Sequence, residues 1–297
     1  MTNFNQVNPL RAIAIACLAF FTWSCSEAAQ AQEFKIESSV YTADESLPIS
    51  QNVTLFSEGL VYEFLMSNEA QPRPLEIVIF DSRTLNMVLL DTQKQIRLEL
   101  PELRVTKILE GVRRATIQDN RSSFLVEEVY EEDTDLSTGW LTMTSPTISY
   151  RLKGERAKNA AMIPLYMNFL NHFTRLKATD PNQIPPFPRM KLNQAIQRLG
   201  WMPSEVQFTA KQNSLFRQAI SAKSKHILFE QLSRKDKEEI AKAKRHWMNF
   251  KAVEFGEYRG LPEQPKIRIP KIRTASFEED VDNATQSATQ SATKNRK

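Results

Sequence analysis

Leu60-Val61-Tyr62-Glu63-Phe64-Leu65-Met66 places a large apolar or aromatic side chain at every second position. That alternation is the mark of a β-strand, and it puts Leu60, Tyr62, Phe64 and Met66 on one face. Moving outward, Leu75-Glu76-Ile77-Val78-Ile79-Phe80 follows a turn at Pro72 and Pro74, and Asn86-Met87-Val88-Leu89-Leu90-Asp91 comes next. Gln95-Ile96-Arg97-Leu98-Glu99-Leu100 alternates cleanly. Short strands joined by polar turns, from Phe34 to about Leu100, predict an antiparallel meander.

Pro101 suits the first turn of a helix, and Val105, Ile108, Leu109, Val112 and Thr116 then recur at helical spacing up to Asp119-Asn120. Three further strands are expected at Phe124–Tyr130, Trp140–Thr144 and Thr147–Leu152. Beyond Lys153 the pattern turns mainly helical, with an apolar stripe at Ile163, Tyr166, Met167, Leu170 and Phe173. A Pro-rich loop, Pro181 to Pro188, leads to a short helix through Leu192, Ala195, Ile196 and Leu199, stopped by Gly200. Val206–Thr209 and His226–Glu230 read as two more strands, with a helix between them at Leu215, Phe216, Ala219 and Ile220. Ser233 and Asp236 form a capping pair for a last helix with Ile240, Ala243, Trp247 and Phe250 on its apolar face.

The ends have other chemistry. Arg11 followed by the apolar run Ala12–Phe21 and the small-x-small triplet Ala29-Gln30-Ala31 predicts a signal peptide over 1–31. The run is too short to span a membrane, which needs about 20 residues. Both cysteines, Cys17 and Cys25, fall within this segment, so the mature chain carries no thiol or disulfide chemistry. A competing reading makes Cys25 a lipidated cysteine, which would tether the chain to the cell envelope. Pro265-Lys266-Ile267-Arg268 nearly repeats as Pro270-Lys271-Ile272-Arg273, a basic strap or an edge protected by Pro and Lys. From 274 to 297 apolar residues almost vanish and Ala-Thr-Gln-Ser repeats, as expected of a disordered low-complexity tail.

Composition removes whole classes of function. The 297 residues hold 39 Lys plus Arg against 35 Asp plus Glu, a net charge of +4 that argues against nucleic acid as a partner. Only 7 glycines occur, where average usage would give about 20. Neither G-x-G-x-x-G nor G-x-x-x-x-G-K-[ST] occurs, and G-x-S-x-G and H-E-x-x-H are missing too. His172, His226 and His246 are too far apart in sequence to form a local metal pair. The acidic cluster Glu127, Glu128, Glu131, Glu132, Asp133 and Asp135 lacks the spacing of a calcium loop and reads as a solvated hairpin. The helix face from Arg234 to Arg245 alternates in sign and reads as solvated. No cofactor, metal site or catalytic set is predicted. Tyr62, Phe64, Phe80, Phe124, Tyr130 and Trp140 are the candidate ligand-binding residues, because a curved sheet can hold an apolar ligand beneath covering helices. An ordinary core is the competing reading of the same residues.

Phe80-Asp81-Ser82-Arg83-Thr84-Leu85-Asn86-Met87-Val88-Leu89-Leu90-Asp91-Thr92-Gln93-Lys94-Gln95 frames a short hairpin. One strand ends at Asp91, a polar turn follows, and Gln95 enters the next strand. This frame, over residues 34–153, resembles the outer-membrane lipoprotein carrier and localisation superfamily. The resemblance implies an exported, curved, half-barrel-like antiparallel sheet covered by helices, without enzymatic activity, sheltering acyl chains. It assigns no individual binding residue.

The resulting expectation is an α+β chain. A signal peptide (1–31) precedes a globular region (32–273), which is mainly sheet over 34–153 and mainly helical over 154–273. The expected function is non-catalytic binding of a lipid or lipoprotein acyl chain in the periplasm or outside the cell, with no transmembrane span in the mature chain. The alternative is a structural or interaction module of the envelope with a protein partner.

Overall fold

The computed structural model describes residues 32–42, 46–180, 183–213, 215–216 and 218–261. The expected signal peptide, both cysteines, the Pro-Lys-Ile-Arg repeat and the low-complexity tail lie outside the described residues. Twelve strands form one sheet. They are β1 (Phe34–Thr42), β2 (Ser50–Ser57), β3 (Leu60–Met66), β4 (Pro74–Asp81), β5 (Met87–Asp91), β6 (Ile96–Leu100), β7 (Glu131–Asp135), β8 (Trp140–Thr144), β9 (Ile148–Arg156), β10 (Trp201–Ala210), β11 (Ile220–Phe229) and β12 (Lys251–Ala252). Among the described residues six α-helices accompany them: α1 (Glu102–Gln118), α2 (Phe124–Glu127), α3 (Met162–Leu176), α4 (Phe187–Leu199), α5 (Arg234–Asn249) and α6 (Phe255–Arg259).

The sheet is open and curved, in the order β12-β6-β5-β4-β3-β2-β1-β11-β10-β9-β8-β7. Every pairing is antiparallel except the two-residue contact of β12 with β6. β1 and β11 join the early meander to the later strands, with Ile36 opposite Leu228 and Ser38 opposite His226. The chain is therefore α+β, as its two periodicities predicted.

β3 shows how the layers are assigned. Tyr62 and Phe64 belong to a cluster with Leu55, Ile77, Ile79, Val88, Leu90 and, from α5, Ile240 and Ala243. Val61, one residue away, points to the opposite face and joins the main core. That core packs Phe34, Phe56, Val78, Phe80 and Leu89 under Phe169 of α3, then extends beneath α4 across Tyr150, Leu152 and Val206. Phe34 and Phe56 are opposite each other in register and stack at 3.9 Å. Phe169 meets Phe56 edge-on at 5.9 Å. The middle strands are thus buried on both faces, the geometry that near-continuous apolar runs encode.

The helix ends follow local chemistry. Ser233 and Asp236 form a reciprocal capping box at the start of α5. Gly200, at φ 63°, closes α4 in the left-handed conformation that glycine adopts without a Cβ penalty. Two expected elements differ. Phe124–Tyr130 is not a strand: Phe124–Glu127 form a single helical turn. Asp119 accepts the amides of Ser122 and Ser123, which turns the chain and sends Leu125 fully into the core. The helix expected near Leu215 is replaced by a loop, in which Asn213 Oδ1 accepts the amides of Leu215 and Phe216 and Phe216 is buried. The acidic cluster supplies the edge strand β7, where carboxylates discourage further pairing.

Candidate functional site

The six aromatic residues singled out by the sequence do not line one cavity. Tyr62 and Phe64 lie under α5. Burial pushes the Tyr62 phenol pKa up, and its hydroxyl has no hydrogen-bond partner among the described residues. Phe80 is on the other face, 5.1 Å from the His172 ring and 6.1 Å from that of Phe169. Phe124 meets Phe216 edge-on at 6.1 Å. Tyr130 sits under the Lys191 ammonium, 5.4 Å from the ring centre. Lys191 itself donates to the carbonyl of Val126 at 2.9 Å and to that of Glu128, which anchors the exit of α2. Trp140 is on the outer face of the sheet, with the Arg151 guanidinium 4.1 Å above its ring.

An apolar pocket does open on the helix-covered face, from other residues. It has a volume of about 390 Å³ and lies between β9, β10, α3, α4 and the Pro-rich loop. Its floor is Ile148, Tyr150 and Phe208. Tyr150 and Phe208 are opposite each other in register, and their rings stand 5.2 Å apart. Leu170 and Phe173 make one wall, and Ile184 with Pro185 and Pro186 makes the lip. The prolines leave residues 183–186 without regular secondary structure at the mouth of the pocket.

Two cations, Lys177 and Arg189, are the only charged groups among the described lining residues. Lys177 rests 4.7 Å from the centre of the Phe173 ring. The Arg189 Nε donates to Asn193 Oδ1 at 3.1 Å, and Asn193 Nδ2 donates to Thr174 Oγ1 at 3.0 Å. Asn193 is fully buried, so the guanidinium is held by a fixed polar chain. Burial raises the pKa of the Tyr150 phenol and takes that of Tyr166 up to about 12, while the Arg189 charge opposes both shifts.

A polar row continues on the same sheet face from β11 across β1 and β2 to β3. His226 Nδ1 is 2.8 Å from Ser38 Oγ, and its Nε2 is 3.0 Å from Ser224 Oγ. Burial, assisted by Arg189, depresses the His226 pKa to about 4, so the ring is neutral at neutral pH. A neutral imidazole donates once and accepts once, and the two hydroxyls satisfy both roles. Asn52, opposite Ser38 in register, donates at 2.7 Å to Glu63 Oε1, and Thr54 donates to Oε2. Burial raises the Glu63 pKa, and these two hydrogen bonds and Lys177 oppose it.

The sequence places Phe173 on an apolar helix stripe and Tyr150 and Phe208 within expected strands, and singles out none of the three as a binding residue. The available signal was the alternation Ile148, Tyr150, Leu152, which fixes their shared face. Among the described residues no helix is long and apolar enough to cross a membrane, and no group of three His, Cys, Asp or Glu side chains is arranged to hold a metal ion. Neither a protein-family model nor a curated protein matches the chain.

Proposed function

We infer that the protein is a non-catalytic binder of a lipid or acyl chain, acting outside the cytoplasm after loss of residues 1–31. The observation that carries this reading is the apolar pocket of about 390 Å³ beneath α3 and α4, lined by three aromatic rings, with Lys177 and Arg189 as the only charges among the described lining residues. In this reading the sheet is a half-barrel-like cradle and the helices are its cover. Each methylene buried there contributes about 0.8 kcal/mol. The described lining residues include no histidine and no carboxylate, which supports binding over catalysis in this reading.

The test is native mass spectrometry of the protein purified from its own cells, followed by uptake of a fluorescent fatty acid. A co-purifying lipid mass and saturable uptake are expected, with about a tenfold loss of affinity in Phe208→Ala, equivalent to about 1.4 kcal/mol. A clean apo mass with no uptake sinks the reading. The intact mass also reports on export: cleavage after Ala31 and acylation at Cys25 leave different masses.

A second reading, an envelope module with a protein partner, draws support from Ile227 and Phe229, which are 57% and 38% exposed on β11. Crosslinking that returns one discrete partner, together with absent lipid uptake, would favour it.

A further inference from the structure

The outer face of the sheet carries a second concavity, on the side away from the helices that roof the lipid pocket. Its volume is about 620 Å³. Its centre is one cross-strand row, Thr142–Arg151–Gln207–Lys223–Tyr41, in which each residue is the register partner of the next across β8, β9, β10, β11 and β1. Beside it runs a hydroxyl row, Ser149–Thr209–Ser221. Lys225 borders the groove on the other side.

The described lining contains three cations and no carboxylate. Arg151 lies over the Trp140 ring and Lys225 over the Tyr41 ring at 5.9 Å, and among the described residues neither they nor Lys223 form an ion pair. The nearest acid in register, Glu205, is opposite Lys225 at the border of the groove and accepts a hydrogen bond from Gln207 Nε2 at 2.6 Å. Strands lie about 4.8 Å apart, so Arg151 and Lys223, two strands apart, have backbones about 10 Å from each other. Like charges gathered on one sheet face repel each other, and a bound anion reverses that repulsion.

We propose that this groove binds an anionic saccharide, a sugar of one or two rings carrying at least two negatively charged groups. Arg151 and Lys223 take the anionic groups, Arg151 as a planar fork and Lys223 as a point charge. The Ser149, Thr209 and Ser221 hydroxyls and the Gln207 amide take the sugar hydroxyls, and Tyr41 offers an aromatic face at the end of the row. The hydroxyl row is what separates this site from a patch for bare phosphate or sulfate.

The probe is a sulfated heparin disaccharide, titrated by calorimetry into the full chain at low salt. Inorganic sulfate, the desulfated disaccharide and vesicles containing an anionic phospholipid are the comparators. Saturable binding of the sulfated disaccharide is expected, at least tenfold tighter than each of the two small comparators and weakening as salt rises. The double variant Arg151→Gln/Lys223→Gln should lose at least tenfold. Lys244→Gln, a cation on α5, should bind as the parent does. Thr209→Ala should narrow the gap between disaccharide and sulfate. Equal binding of disaccharide and sulfate overturns the proposal, as does an unchanged double variant. Binding to the vesicles without binding to the disaccharide also overturns it. Arg151, Thr209 and Lys223 are on the open face and Lys244 is on the surface of α5, so circular dichroism of the variants should match the parent, and fatty-acid uptake should be unchanged.

Discussion

Strands β2–β5 and strands β8–β11 belong to one sheet but follow different rules. The first group is covered on both faces, by α3 and its neighbours on one side and α5 on the other. Accordingly Ile77, Val78, Ile79 and Phe80 are all buried in succession. The second group is covered on one face only. There Ile148, Tyr150 and Leu152 are buried, while Ser149, Arg151 and Lys153, between or beside them, are not. Both concavities involve the singly covered group: the apolar pocket on its covered face and the cationic groove on its open one. The doubly covered strands β4 and β5 border a smaller hollow, about 250 Å³, beside Trp247 of α5.

The largest expected effect tests that division directly. Leu90 faces α5 and is fully buried. Leu90→Ala should cost about 2–5 kcal/mol in denaturant unfolding. Arg151→Ala, on the uncovered face of β9, should stay within about 0.5 kcal/mol of the parent. Similar costs for the two would mean that the open face is not open in solution.

Acid should discriminate the two regions next. His226 lies on the covered face of β11, faced by Ser38 of β1, Ser224 of its own strand and the Arg189 charge from α4. Its folded pKa is depressed to about 4 from an ordinary value of 6.5. The unfolded chain therefore binds the proton more readily. The stability this group contributes is complete above pH 6.5 and is lost as pH falls toward 4, by at most about 3 kcal/mol. His226→Gln should flatten the fall in stability between pH 7 and pH 4. Hydrogen exchange at pH 4 should show β10 and β11 opening before β3 and β4. An identical pH profile in parent and variant would remove His226 from the account.

Glycine gives the third contrast. Strands β2 to β6 contain none, whereas β9 contains Gly154. A Cβ there would lie 2.7 Å from Cε3 of Trp201 and 3.0 Å from its Cβ. Trp201 is buried, so it has little room to yield. Gly154→Ala should cost about 1–3 kcal/mol, read as a lowered unfolding midpoint. A neutral result would mean that β9 and β10 are not tightly seated at this end.

How much of this was legible beforehand depends on range. β3 to β6, α1, α3 and the capping box of α5 follow from periods and caps, because those signals are carried by adjacent residues. Phe124–Glu127 misleads because the three-residue apolar run Phe124-Leu125-Val126 suits a strand as well as one helical turn. The loop before β11 misleads because Leu215 and Phe216 are set by the side chain of Asn213, not by a repeat. For the site, alternation fixes that Tyr62 and Phe64 share a face, but which helix covers that face depends on α5, which follows more than 160 residues later. Likewise Arg151, Gln207, Lys223 and Tyr41 become one row only when β1 lies beside β11, a pairing that no local pattern encodes.

The smallest predicted effect has the opposite sign and concerns the doubly covered group. Tyr62 is fully buried among Leu55, Ile77, Val88 and the α5 side chains, and its hydroxyl lacks a partner among the described residues. A buried hydroxyl without a hydrogen bond has lost its water and gained nothing in return. Tyr62→Phe keeps the ring and its packing and removes that oxygen. It should therefore raise stability by about 1 kcal/mol, measured as a shift in unfolding midpoint at constant slope. The same exchange at Tyr258, whose hydroxyl donates to Glu76 at 2.8 Å, should lower stability by a similar amount. If both exchanges destabilise, Tyr62 has found a partner, and the α5 face holds polar contacts that its apolar lining would not suggest.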